Sequence, residues 1–231
     1  MRTAIFVDGG FFLKRLNFLY KNNPNVNLND AKSIVKELTN ICYKHLQEKH
    51  KGKYEKCHEL YRIFFYDCPP LDKKVHFPIS QKHHDYSKSP HALLRNEIHN
   101  ELRKARKMAL RFGRLQNIGS WAIKKEVLKE LLAKKRDFNS LTDDDFYYEH
   151  RQKSVDMKLG IDIASVSYKK QVERIVLIAG DSDFVPAAKL ARREGVDFIL
   201  DPMFQKVAPD LFEHIDGLKS TCVKPKNAEI E

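Results

Sequence analysis

Two short apolar runs in this chain stop at aspartate, and no other feature narrows its fold as far. Residues 175–179 read Ile175-Val176-Leu177-Ile178-Ala179 and pass at once into Gly180-Asp181-Ser182-Asp183-Phe184. Residues 3–7, Thr3-Ala4-Ile5-Phe6-Val7, run straight into Asp8-Gly9-Gly10. Unbroken apolar runs of this length suit strands covered on both faces, the situation inside a parallel sheet. Open α/β sheets place their chemistry just beyond the carboxyl ends of such strands. The pattern therefore predicts two strands that carry Asp8, Asp181 and Asp183 to one sheet edge.

Between these runs the sequence alternates helix-like and strand-like segments. A helix is predicted over 11–20, where Phe12, Leu16 and Leu19 share a face, and a second over 30–47 from Ile34, Leu38, Ile41, Cys42 and His45. Residues 60–66 are β-branched and aromatic and end in Asp67-Cys68-Pro69-Pro70, a strand with a sharp stop. Residues 71–89 are polar and read as an irregular insertion. Ser89-Pro90 then begins a helix lined by Leu94, Ile98 and Leu102. A strand is predicted over 108–115 with Leu110 and Phe112 inward and Arg111 and Arg114 outward, then a short helix over 127–132 and an extended stretch over 147–153. Ser154 is placed to cap a helix over 155–169 that carries Asp156 in its first turn, where a carboxylate suits the helix dipole. A strand over 174–179, a helix over 186–195 stopped by Gly195 and a last strand over 196–200 complete the pattern. This is an α/β chain with a mostly parallel sheet and helices on both faces. Its 231 residues, 42% of them hydrophobic, suffice for one core. The expected organisation is a single domain over 1–220 with a helical, basic insertion at about 71–107, and a polar tail over 221–231.

The net charge of +11 favours a polyanionic partner. From His91 to Arg136 thirteen Lys or Arg stand against four Glu, a local excess of +9. Such a stretch is either a set of solvated helix faces or the electrostatic footprint of nucleic-acid binding. Cys42, Cys57, Cys68 and Cys222 have irregular spacings and no C-x-x-C pair, which argues against a disulfide framework or zinc ribbon. No stretch reaches the roughly 20 apolar residues of a membrane span, so the expected compartment is the cytoplasm.

Asp8, Asp156, Asp181 and Asp183 can meet at the strand ends of this architecture. Taken singly each could be a turn residue or a helix cap. Together they would repel one another strongly and need a cation to coexist. An all-oxygen ligand set selects Mg²⁺ or Mn²⁺ over zinc. Asp162 is a further ligand candidate, although six residues after Asp156 it lies about 120° round a regular helix. A carboxylate-held cation beside a basic surface suits phosphodiester hydrolysis.

At these residues the chain resembles the NYN family of PIN-like ribonuclease domains, which includes the LabA and DUF88 proteins. The matching pieces are Ile5-Phe6-Val7-Asp8-Gly9-Gly10, then Lys153-Ser154-Val155-Asp156 with Asp162 following, and Ala179-Gly180-Asp181-Ser182-Asp183-Phe184-Val185-Pro186. The resemblance spans about residues 1–70 and 108–203. It implies a PIN-like (Rossmann-like) sheet and metal-dependent RNA cleavage, with Asp8, Asp156, Asp181 and Asp183 as the acidic cluster. Two departures stand out: Gly10 and Phe11 replace an Asn common after the first Asp-Gly, and Ser154 replaces the glycine common before Val-Asp. The leading expectation is a ribonuclease using Mg²⁺ or Mn²⁺, with Lys153 and Arg192 or Arg193 contacting phosphates near the site. Arg103, Lys104, Arg106, Lys107 and Arg111 are the further candidates for holding RNA. Self-association is left open. The alternatives are a non-catalytic RNA-binding or scaffold module and a small-molecule phosphatase, the latter weakened by Gly10 where haloacid-type enzymes carry a second Asp.

Overall fold

The computed structural model describes residues 1–50 and 52–224. In chain order, β1 (Arg2–Asp8) leads into α1 (Gly9–Tyr20) and α2 (Ala31–Lys44), then the hairpin of β2 (Gln47–His50) and β3 (Lys53–Lys56), then β4 (Glu59–Asp67). A second hairpin, β5 (Lys74–His76) and β6 (His83–Asp85), precedes α3 (Pro90–Lys104) and β7 (Met108–Phe112). The chain continues through β8 (Arg114–Ile123), α4 (Lys125–Leu132), β9 (Phe146–Lys153) and α5 (Val155–Tyr168). It ends with β10 (Arg174–Ile178), α6 (Val185–Arg193), β11 (Asp197–Asp201), α7 (Pro209–Phe212) and β12 (Gly217–Leu218).

Six strands form one sheet in the order β12-β11-β10-β1-β4-β7, and every pairing in it is parallel. The apolar runs alternate between two cores because successive strand side chains point to opposite faces. Ile5, Val7, Val176 and Ile178 face α1, α2 and α3, whereas Ala4, Phe6, Ile175 and Leu177 face α5, α6 and α7. Phe6 is fully buried and stacks on Phe64 with ring centres 4.8 Å apart. Cutting Phe6 back to Ala would cost about 3–5 kcal/mol.

Besides the hairpin of β2 and β3, two features lie outside the sheet. β8 and β9 form a long antiparallel ribbon, and β5 and β6 a short arm beside it. The Trp121 indole N–H donates to the His76 carbonyl at 3.0 Å, and Phe77, Trp121, Tyr148, Tyr86 and His84 form a chain of rings with centres 4.5 to 5.9 Å apart. The segment over 71–89 is therefore structured by aromatic packing. The strand expected over 108–115 breaks at Gly113, whose N–H donates to the Asp67 carbonyl at 2.8 Å as the chain leaves the sheet. Within 71–107, α3 covers the sheet, contributing Ile98 and Leu102 to the core. Residues 221–223 turn back onto the body. The Thr221 hydroxyl donates to the Ile41 carbonyl, the Val223 N–H to the Tyr20 hydroxyl, and Cys222 is buried. The rest of the predicted tail, 225–231, lies outside the described residues. No helix among the described residues is long and apolar enough to cross a membrane.

Candidate active site

The sheet reverses its direction of growth between β1 and β10. From β1 the chain builds outward through β4 and β7 under α1 to α3, and from β10 it builds the other way through β11 and β12 under α6 and α7. The crevice beyond the carboxyl ends at such a switch point is where open α/β sheets bind ligands. Asp8 closes β1 at this crevice and Asp181 follows β10 on its other side. Two glycines permit the close approach. A Cβ on Gly9 would sit 2.5 Å from the Phe65 ring and 2.6 Å from the Tyr66 carbonyl oxygen. A Cβ on Gly180 would sit 2.5 Å from the ring of Phe11. Phe11 thus packs α1 against the end of β10.

Asp8 is the N-cap of α1, accepting from the Phe11 N–H at 3.1 Å. Burial raises its pKa to about 6, helped by the charges of Asp156 and Asp67 and opposed by the Phe11 hydrogen bond. Asp156 lies in the first turn of α5, and its pKa is also raised, by partial burial and then by Asp181 and Asp183. The four acids from three separate segments therefore share one electrostatic field. Asp181 caps a short 3₁₀ turn, accepting from the Asp183 N–H at 3.1 Å, and both side chains are exposed. Capping and cluster membership are compatible, since a carboxylate has two oxygens and the cap uses one. Ser154 occupies the N-cap position of α5 but makes no side-chain cap hydrogen bond, because its backbone is left-handed at φ +69°. That conformation is one glycine adopts far more readily than serine.

One acid escaped the sequence reading. Asp67 closes β4 next to Asp8's strand, with Asp8 in register beside Tyr66. It is buried yet ionised: burial pushes its pKa up, but hydrogen bonds from His99 and Arg95 outweigh this and hold it below the ordinary value. Arg95 Nη2 donates to Oδ1 at 2.5 Å and His99 Nε2 to Oδ2 at 2.6 Å. The signal was present, for residues 60–66 also form an apolar run ending in aspartate, and Arg95 and His99 share a helix face at i, i+4.

Asp162 does not join the cluster. It accepts from the Tyr66 hydroxyl at 2.7 Å and from Arg111 Nε at 3.2 Å, which braces α5 against β4 and β7. Arg111, expected to point outward, is half-exposed and engaged there, with its guanidinium 5.8 Å from the Phe64 ring centre. Lys153 is exposed at the end of β9, separated from α5 by Ser154, and Arg114 pairs with it across the ribbon. Arg192 and Arg193 end α6, which starts at the acid edge and runs back along the sheet, so they lie at the opposite edge. Arg192 is bound to Asp216 at 2.8 Å. Of the basic stretch, Arg103 lies over the Phe112 ring, Lys104 pairs with Glu101, and Lys107 donates to the Leu60 carbonyl near the amino end of β4. Arg106 is exposed.

The donor set is chemically suited to a hard divalent cation: oxygen-only, mutually repelling and partly desolvated at Asp8. Among the described residues, however, no three His, Cys, Asp or Glu side chains are drawn into a metal-binding group.

Comparison with known proteins adds the lineage. A search of the solved structures finds a protein of unknown function from Vibrio parahaemolyticus, 13% identical, with 96% of this chain and 93% of that one covered and a TM-score of 0.45. No curated protein sequence matches the chain. The family model of the NYN domain matches residues 2–214. With the strand-end acids at the switch point of a parallel sheet and nearly the whole length matched, the chain belongs to the NYN domain family.

Proposed function

We propose that this chain is a metal-dependent ribonuclease that hydrolyses RNA phosphodiesters at the carboxyl edge of its sheet. One observation carries the reading: Asp8 and Asp156, brought from distant parts of the sequence, repel each other at the switch point, with Asp181 and Asp183 adding to the same field. Such an arrangement destabilises the free protein and is compensated by a cation. Asp8, Asp156 and Asp181 would hold Mg²⁺ or Mn²⁺, with Asp183 as a fourth acid. A bound cation supplies charge neutralisation and water activation. Hydrolysis adds water across a P–O bond, leaving phosphate on one product and a hydroxyl on the other. Asp67, fixed by Arg95 and His99, is a positioning residue that sets the field at Asp8. Lys153 and Arg114 are the cations best placed to hold the flanking phosphates, and Arg103, Lys104, Arg106 and Lys107 offer contacts to RNA farther along its path.

Phe11 favours a second reading. It removes a polar group that could touch metal-bound water or phosphate and leaves an apolar ring over Gly180, consistent with a non-catalytic RNA-binding module. The experiment that separates the two is cleavage of single-stranded RNA with Mn²⁺, with chelator, and with Asp156→Asn. Metal-dependent cleavage abolished by the substitution supports the hydrolase. Binding of RNA without cleavage under every condition selects the module.

A further inference from the structure

Beside the acid edge lies a cavity of about 330 Å³ that the chemistry above does not use. Its walls come from four parts of the chain: Pro69 after β4, Tyr86 after β6, His91 and Arg95 on α3, and Leu115 and His150 on the ribbon of β8 and β9. The arms outside the sheet thus acquire a purpose, since without them the cavity would have no outer wall. Two residues of its wall tie it to the candidate active site. Cys68, also in the wall, directly follows Asp67, and Arg95 bridges the two regions with its hydrogen bond to the Asp67 carboxylate.

The chemistry of the wall selects its occupant. Its volume is at the low end of the roughly 300–1,000 Å³ of small-molecule pockets, room for one flat ring system and not for a duplex. Proline and leucine walls do not suit a phosphate. The Tyr86 ring offers an aromatic face held in place by His84 and Tyr148, with ring centres 4.5 and 5.9 Å away. His91, His150 and Arg95 supply polar edges, and His91 and His150 are exposed, which leaves the cavity open to solvent. Aromatic faces combined with polar edges beside a cationic backbone track are how proteins hold unstacked bases. We infer that this cavity receives one unpaired nucleobase of RNA, adjacent to the phosphate held at the acid edge. The chain therefore acts on single-stranded or looped RNA, because a base within a helical stack cannot enter. This inference rests on the reading of the acid edge as a site for RNA.

The test is a single abasic nucleotide walked along a single-stranded oligoribonucleotide, with affinity measured in EDTA and the cleaved bond mapped afterwards with Mn²⁺. One position should weaken binding about 10- to 100-fold when its base is removed, the range of a base–aromatic stack. Cleavage should fall next to that position. Tyr86→Leu should erase the position dependence. Because Tyr86 also packs on Tyr148, Leu71→Trp provides a second variant, which fills the cavity from the turn after β4, and melting temperatures verify that both fold. A flat abasic walk in the parent protein overturns the inference, as does position dependence that survives in both folded variants. The two readings fail separately. A position-dependent walk without any metal-dependent cleavage keeps the pocket and removes the hydrolase, whereas metal-dependent cleavage with a flat walk keeps the hydrolase and removes the pocket.

Discussion

Asp8→Asn should stabilise the metal-free protein, and the gain should depend on pH in a way only the acid cluster explains. Burial and the neighbouring Asp156 and Asp67 raise the Asp8 pKa from 3.8 to about 6. At about 1.36 kcal/mol per pKa unit, the shift corresponds to about 3 kcal/mol of destabilisation once the folded protein must carry the charge. The sign follows from proton linkage. Between roughly pH 4 and 6 the folded state keeps a proton that the unfolded state has released, so stability falls as pH rises through this window and the full penalty applies above it. Asn cannot ionise, but its side-chain oxygen can still accept from the Phe11 N–H, and Asn is as good an N-cap as Asp. The variant should therefore match the parent near pH 4 and exceed it by about 2–3 kcal/mol near pH 7.5. For a chain of this size that is a melting-temperature gain of roughly 5–10 °C. Urea unfolding of both proteins in EDTA, from pH 4 to pH 8, measures the difference directly. A stability difference that stays constant across the series would refute the argument, because removing a cap or altering local packing changes stability without a proton.

Mn²⁺ at about 100 times its Kd should stabilise the parent by about 2.7 kcal/mol, and Asp156→Asn or Asp181→Asn should lose most of that gain in a thermal melt. Asp162→Ala should instead cost about 1–3 kcal/mol in urea unfolding by stranding the Tyr66 hydroxyl, while metal-dependent cleavage at saturating RNA persists; loss of cleavage in a folded variant would return Asp162 to the site. Ser154→Gly relieves a left-handed backbone and should leave stability unchanged or raise it by up to about 1 kcal/mol, whereas Ser154→Val should lower it, both read from denaturant midpoints. Lys153→Gln with Arg114→Gln should flatten the salt dependence of single-stranded RNA binding, by about 0.7 in the log-log slope for each phosphate no longer neutralised. The same measurement on Arg192→Gln with Arg193→Gln should show no change, given their place at the far edge of the sheet.

The alternation of elements and the ends of the buried strands were legible in the order of residues alone. Apolar runs such as 3–7 and 175–179 can be satisfied only inside a covered sheet, and an aspartate that ends such a run has nowhere to go but the sheet edge. That logic located Asp8, Asp181 and Asp183, and, applied to residues 60–66, it would have located Asp67. Helical spacing placed Asp156 in the first turn of α5. Tertiary structure decided everything that depends on which distant segments become neighbours. The commitment of Asp162 to Tyr66 and Arg111 was not legible, because partners 96 and 51 residues away leave no periodic signal. The left-handed backbone at Ser154 falls where the ribbon passes into α5, and serine carries no local mark of it. Local charge counts gave the basic stretch one sign but no shape. Because α3 packs on the sheet while β8 and α4 leave it, those cations are scattered over several surfaces. The cavity was least visible of all, since its walls come from segments that are polar and unremarkable until the rings of Phe77, Trp121 and Tyr148 fold the two arms together.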